Sequence, residues 1–191
     1  MENNQVNRLM DNRIKNYHSR IYNLLLKTFY LKEKNRIFEK IWHKIANYSH
    51  KQYEGSIITK MHGHTVNIKN GYPYSIITRQ FKSFNNPLLE LINFTYFNKK
   101  APVNIIDIGA AIGDTALFLL ANSNDQINKI YCIDGDDEFF SYLSNNTKNF
   151  NKISAHKALL SDGTSQTESE LIRTHSGSAS AQGVLKKEAI K

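Results

Sequence analysis

Cysteine is nearly missing from this chain: Cys132 stands alone among 191 residues. One thiol excludes an internal disulfide and a multi-cysteine zinc site, and it fits a reducing compartment. Long apolar runs are missing too. ALFLLA at 116–121 is far short of the roughly 20 apolar residues that span a bilayer. The N-terminal MENNQVNRLMDNRIK lacks the apolar core of a signal peptide, so a cytoplasmic protein is expected. No unit recurs on a period of about 20–50 residues, which excludes a repeat array. Apolar residues make up 40% of the chain. That is a little low for a compact domain, and part of the chain is expected to pack poorly alone.

Acidic residues are scarce in one half only. Residues 1–100 carry 17 Lys and Arg against 6 Asp and Glu, whereas residues 101–191 carry 8 against 11. The net charge of +8 therefore belongs to the first half. A polyphosphate or nucleic-acid site suits a basic surface. The mildly acidic second half suits a ligand that carries positive charge.

Three regions follow from the patterning. Residues 1–55 form a helical region. Val6, Leu9, Met10, Ile14, Tyr17, Ile21, Leu24 and Leu25 recur at three and four, the spacing of one helical face. Ile37, Ile41, Trp42 and Ile45 repeat the pattern, with a break expected at the KEKN of 32–35. Residues 56–100 change period. SIITKMHGHTVNIKNG predicts two short strands around His62-Gly63, and Asn70-Gly71 signals a turn. A helix is predicted over about 87–97, with Asn86 as cap and Pro87 in the first turn. Residues 101–191 then alternate: strand VNIIDI, helix IGDTALFLLANS, strand KIYCID, helix DEFFSYLSNNTKN, strand KISAHKALL. This is βαβαβ, the half-unit of a doubly wound α/β fold. A turn at Ser161-Asp162-Gly163, a further strand ESELIRTH and a flexible SGSASAQG follow.

The chemistry concentrates at Asp107–Asp114. In a doubly wound sheet, ligands bind beyond the carboxyl ends of the strands. Gly109 lets a ligand approach the backbone, and Gly113 permits tight entry into the next helix. A P-loop needs a Lys after its last glycine, and Asp114 stands there. The dinucleotide fingerprint Gly-x-Gly-x-x-Gly fails at Ala111 and is one residue short. Asp114 would also repel a pyrophosphate. The S-adenosylmethionine loop, a strand ending in an acid followed by Gly-x-Gly-x-Gly, fits Asp107-Ile-Gly109-Ala-Ala111-Ile-Gly113 with one alanine substitution. That ligand offers an ammonium and a sulfonium to carboxylates, and no phosphate. Asp134 closes the second strand, where an acid can accept hydrogen bonds from ribose hydroxyls. Two glycines alone would make only a turn. Strand, acid, glycine pair, helix, second strand and second acid together favour a nucleoside ligand.

These residues resemble the FkbM-type methyltransferases, a branch of the class I S-adenosylmethionine-dependent enzymes. The resemblance rests on Asp107 to Gly113, on Asp134, on Leu143-x-x-Asn146, on Ala158-Leu159-Leu160-Ser161-Asp162, and on THSGSAS at 174–180. It covers 103–182 well and 56–100 loosely. It implies a Rossmann-like parallel sheet, S-adenosylmethionine as cofactor, and O-methylation of a sugar, polysaccharide or other small hydroxyl acceptor. The cofactor-binding residues it implies are Asp107, Gly109, Ala111, Gly113, Asp134 and Leu160. Family members continue through further strands where this chain stops at Lys191, so a C-terminally truncated methyltransferase is expected. The alternative is an inactive fragment whose basic N-terminus binds a membrane surface or partner.

No general base is assigned. His156 lies on the third strand and reads as structural. His62 and His64 lack a third ligand at a telling spacing and read as turn residues. Asp136, Asp137 and Glu138 suit a helix start. Cys132 reads as a buried strand residue. For residues 1–50, a helical cap ranks first, peripheral contact with an anionic membrane second and nucleic acid last.

Overall fold

The computed structural model describes residues 2–72, 78, 83–160, 168–175 and 178–184. The turn expected at Ser161-Asp162-Gly163 and the Ser176-Gly177 centre of THSGSAS lie outside them.

Three helices open the chain: α1 (Glu2–Lys27), α2 (Phe29–Lys34) and α3 (Arg36–Gln52). The single break expected at 32–35 is two breaks, at Thr28 and at Asn35. Asn35 takes an extended conformation, and its side chain accepts from the Ile37 and Phe38 N–H groups. Such a cap satisfies two donors that a helix start leaves without partners. A small core of Leu25, Phe29 and Trp42 joins the three helices, and the Trp42 indole donates to the Leu25 carbonyl at 2.9 Å.

The buried face of α1 differs from the expected one. Leu25 is buried and Ile21 half-buried, but Leu9, Met10, Ile14, Tyr17 and Leu24 are exposed. His18, Ser19, Tyr22 and Leu26 are buried instead. The reason is a hairpin, β1 (Ser56–Met61) and β2 (His64–Lys69), turning at His62-Gly63 as predicted. α1 packs along the edge of β1 and supplies polar groups to it. Ser19 Oγ accepts from the Ile58 N–H at 2.8 Å, and Asn23 donates to the Ile58 carbonyl at 2.9 Å. Ile58 pairs with Asn67 across the hairpin. The other edge of that rung is closed by Asn146, whose amide accepts from the Asn67 N–H and donates to its carbonyl, both at 2.8 Å. Side chains thus replace missing strands at both edges, where unpaired backbone groups would otherwise be costly.

The helix predicted over 87–97 spans Asn86–Lys99 (α4), so Asn85 precedes it and Asn86 is already helical. It stops at Lys100, which is left-handed at φ 51°. From there β3 (Val103–Ile108), α5 (Asp114–Ser123), β4 (Ile127–Asp134), α6 (Asp137–Thr147) and β5 (Ile153–Lys157) alternate as expected. The strands form a parallel sheet in the order β3-β4-β5. The third strand ends at Lys157, three residues sooner than KISAHKALL suggested.

α5 and α6 cover one face of this sheet. Ile130 and Cys132 are fully buried there, with Leu117 and Leu143 of the helices in the same core. On the opposite face Ile106 and Ile108 are 65% and 66% exposed. Among the described strands, β3 is an edge. β6 (Glu168–His175), the further strand expected, pairs antiparallel with β7 (Ser178–Val184). The segment expected to be flexible is thus a strand over 178–184. Its small side chains do not prevent a backbone ladder from forming, and the register closes at His175 with Ser178.

The element order is a helical segment, an antiparallel hairpin and then a parallel sheet interleaved with helices. It matches a Rossmann-like, doubly wound class I methyltransferase arrangement.

Candidate functional site

The β3–α5 turn is bound to the end of β4 by backbone and side chain together. The Gly109 and Ala110 N–H groups both donate to the Ile133 carbonyl, at 2.9 and 3.1 Å. Asp134 then takes two N–H groups, from Ala111 at Oδ2 (2.8 Å) and from Asp136 at Oδ1 (2.9 Å). Ionised carboxylates make strong bonds of this kind. Asp134, 8% exposed, therefore fastens the loop above β3 to the loop above β4.

Three residues of the turn are left-handed: Gly109 at φ 75°, Ala111 at φ 47° and Gly113 at φ 86°. The two glycines suit this region, and Ala111 occupies it as an alanine, at a cost of about 1 kcal/mol. Gly109 and Gly113 differ in their surroundings. A Cβ on Gly109 would meet nothing within 4 Å, so its backbone is open to an approaching ligand. A Cβ on Gly113 would stand 2.8 Å from Thr147 Cγ2 and 3.1 Å from Leu143 Cδ1. Gly113 is a packing glycine, where α5 starts against α6.

Acids converge around this turn. Burial raises the Asp107 carboxyl above its ordinary value, and the neighbouring Asp134 charge raises it further. Asp107 Oδ2 is buried with no hydrogen-bond partner. Asp114, 7% exposed, is pushed up to about 7, chiefly by burial. Its Oδ1 accepts from the Tyr72 hydroxyl at 3.2 Å. Asp136 caps α6 by accepting from the Phe139 N–H at 3.0 Å. An orphaned carboxylate oxygen beside further acids disfavours an anion and favours a cationic group that can donate hydrogen bonds.

Of the residues singled out in the sequence, Asp107, Gly109, Ala111, Gly113 and Asp134 meet at the carboxyl ends of β3 and β4. Leu160 lies past the end of β5 and is 58% exposed. Its neighbour Leu159 is 48% exposed and lies against Gly135, where a Cβ would fall 2.2 Å from Leu159 Cδ2. His156 is exposed on the uncovered sheet face and stacks on Tyr131. His62 and His64 pack edge-on against Phe118 and Phe150. Burial, then His64, lowers the His62 pKa. Cys132 is buried, and its thiol is pushed up to about 12, first by burial. Glu138 pairs with Lys69 at 3.1 Å, and Asp137 pairs with Lys157. A 610 Å³ cleft beside Lys27, Thr59 and Lys60 lies away from the turn.

Two contributors were not assigned a site role from the sequence. Tyr72, just after the Asn70-Gly71 turn, reaches Asp114. Asn146 also donates to the Ile112 carbonyl at 3.1 Å, so it joins the hairpin, α6 and the glycine turn. The Leu143-x-x-Asn146 spacing marked both positions, since Leu143 packs under Gly113 while Asn146 holds the backbone beside it. For Tyr72 the Asn-Gly turn before it was the available signal.

No family model, curated protein or solved structure matches this chain. Among the described residues, no helix is long and apolar enough to cross a membrane.

Proposed function

We propose that the Asp107–Asp114 turn binds S-adenosylmethionine, and that the chain serves an FkbM-type O-methyltransferase acting on a sugar, polysaccharide or other small hydroxyl. One observation carries the reading: the buried, unpartnered Asp107 Oδ2 beside the open backbone of Gly109. A ligand with an ammonium group satisfies that oxygen. A dinucleotide pyrophosphate would instead meet the buried Asp114 in the first turn of α5, where the helix dipole would otherwise welcome it.

When bound, S-adenosylmethionine supplies a sulfonium-borne methyl group. The chain's own part is to bind and orient. Asp107 takes the cationic end, and Gly109 gives room. Each Asp134 oxygen already accepts one N–H and keeps a lone pair for a ribose hydroxyl. Alignment of the acceptor oxygen within about 3–3.5 Å of the methyl carbon then sets the rate.

Calorimetric titration with S-adenosylmethionine tests the reading, using Asp107→Ala as the control variant. Asp134→Ala is a poorer control, because it also frees two backbone N–H groups of the loop. A dissociation constant on the order of micromolar, weakened about tenfold or more in a folded Asp107→Ala chain, is expected. No binding by the folded wild-type chain sinks the proposal.

A further inference from the structure

The first three helices leave a large apolar surface on the side away from the hairpin. On α1, Lys15, Ser19 and Asn23 bond to the hairpin, and His18 and Leu25 face α3. The exposed Met10, Ile14, Tyr17 and Leu24 lie beyond the α3-facing row, since helix neighbours recur at three and four. On α3, Trp42 and Ser49 face α1, and His50 reaches Asn70 at the hairpin end. The exposed Ile37, Ile41, Ile45 and Tyr48 lie on the other side of that row. Both stripes therefore flank the same α1–α3 seam, and their residues are 40% to 72% exposed. Apolar surface on this scale marks an interaction site.

The border of this surface is basic. Arg13, Arg20 and Lys27, spaced by seven, run along the outer side of the α1 stripe, and all three are exposed. Arg36, Lys40 and Lys44, spaced by four, run along the outer side of the α3 stripe and are exposed. No ion pair among the described residues engages these six. Two nearby acids face elsewhere: Asp11 acts on Tyr53, and Glu39 lies 3.9 Å from His43.

We propose that this face docks onto an anionic lipid bilayer, with the Ile, Leu and Met side chains entering the acyl boundary and the two basic rows meeting lipid headgroups. Apolar burial and attraction to anionic lipid add in such contacts. Long Lys and Arg stems reach the headgroups while the apolar centre sinks. A second copy is disfavoured because a symmetric face-to-face pairing brings basic rows together. A nucleic acid meets basic rows but has no use for a broad aliphatic centre.

The test is flotation of the full chain with phosphatidylcholine vesicles, with and without about 30% phosphatidylserine. Two variants accompany it, Arg13→Gln/Arg20→Gln/Lys27→Gln and Ile41→Ser/Ile45→Ser. All five positions are exposed, and circular dichroism checks that both variants fold. The expected result is binding to the anionic vesicles that high salt weakens and that each variant loses by about tenfold or more. No binding by the folded chain overturns the proposal. So does vesicle binding that survives Ile41→Ser/Ile45→Ser and is matched by duplex DNA, which would make the face a plain polyanion site. Self-association abolished by the same variant, without vesicle binding, overturns it in favour of a second copy.

Discussion

The two faces of the β3-β4-β5 sheet both carry isoleucines, and these meet opposite fates. Ile130 and Cys132 lie under α5 and α6 and are fully buried, whereas Ile106 and Ile108 are about two-thirds exposed. Successive residues of a strand point to opposite faces. Isoleucine stands on both faces, so its burial or exposure is decided by cover. Right-handed crossovers between parallel strands running in one direction place their helices on one side. The turn with its acids sits on the covered side's edge, where burial raises Asp107 and Asp114. The bare side carries the exposed His156 and Tyr131.

The comparison breaks most sharply at Gly113. Alanine there needs an L residue at φ 86° and pushes a Cβ into Thr147 and Leu143. Strain and overpacking together cost about 2–4 kcal/mol, read as a lower urea midpoint with an unchanged slope. A smaller effect is expected at Asp114. Its folded pKa of about 7 stands above the ordinary 3.8. The folded state therefore holds the extra proton between those values, and stability falls as pH rises from about 4 to about 7. Asp114→Asn keeps an acceptor for Tyr72 and removes that charge. It should stabilise the chain by about 1–3 kcal/mol near pH ~8 and flatten the slope of urea midpoints against pH. The smallest effect belongs to the bare face. Ile106→Thr/Ile108→Thr should change stability by no more than about 0.5 kcal/mol. A loss of several kcal/mol would mean that this face is covered in solution.

Much of the fold is legible in the sequence because its signals are local. VNIIDI and KIYCID are apolar runs rich in β-branched residues, and the two helices between the strands have the length a crossover needs. The His62-Gly63 turn marks the hairpin. The glycine turn is legible for the same reason, since its left-handed positions select glycine at two of three places. Less legible is which stripe of α1 is buried. Two adjacent stripes compete, and Ser19 and Asn23 win burial for theirs by bonding to the Ile58 backbone. Asn146 closing the rung at Asn67, 79 residues away in sequence, leaves no local signal beyond its spacing from Leu143.

By itself the sequence determined the alternation of strands and helices, the turns, and the set of acids and glycines above β3 and β4. Those depend on periodicity and on backbone conformations available to single residues. Tertiary structure alone decided that Asp134 is a fastener for two loops, that Asp107 keeps an orphaned oxygen, and that the apolar stripes of α1 and α3 end together on one outer face. Each of these depends on what stands opposite a side chain, and that partner comes from a distant part of the chain.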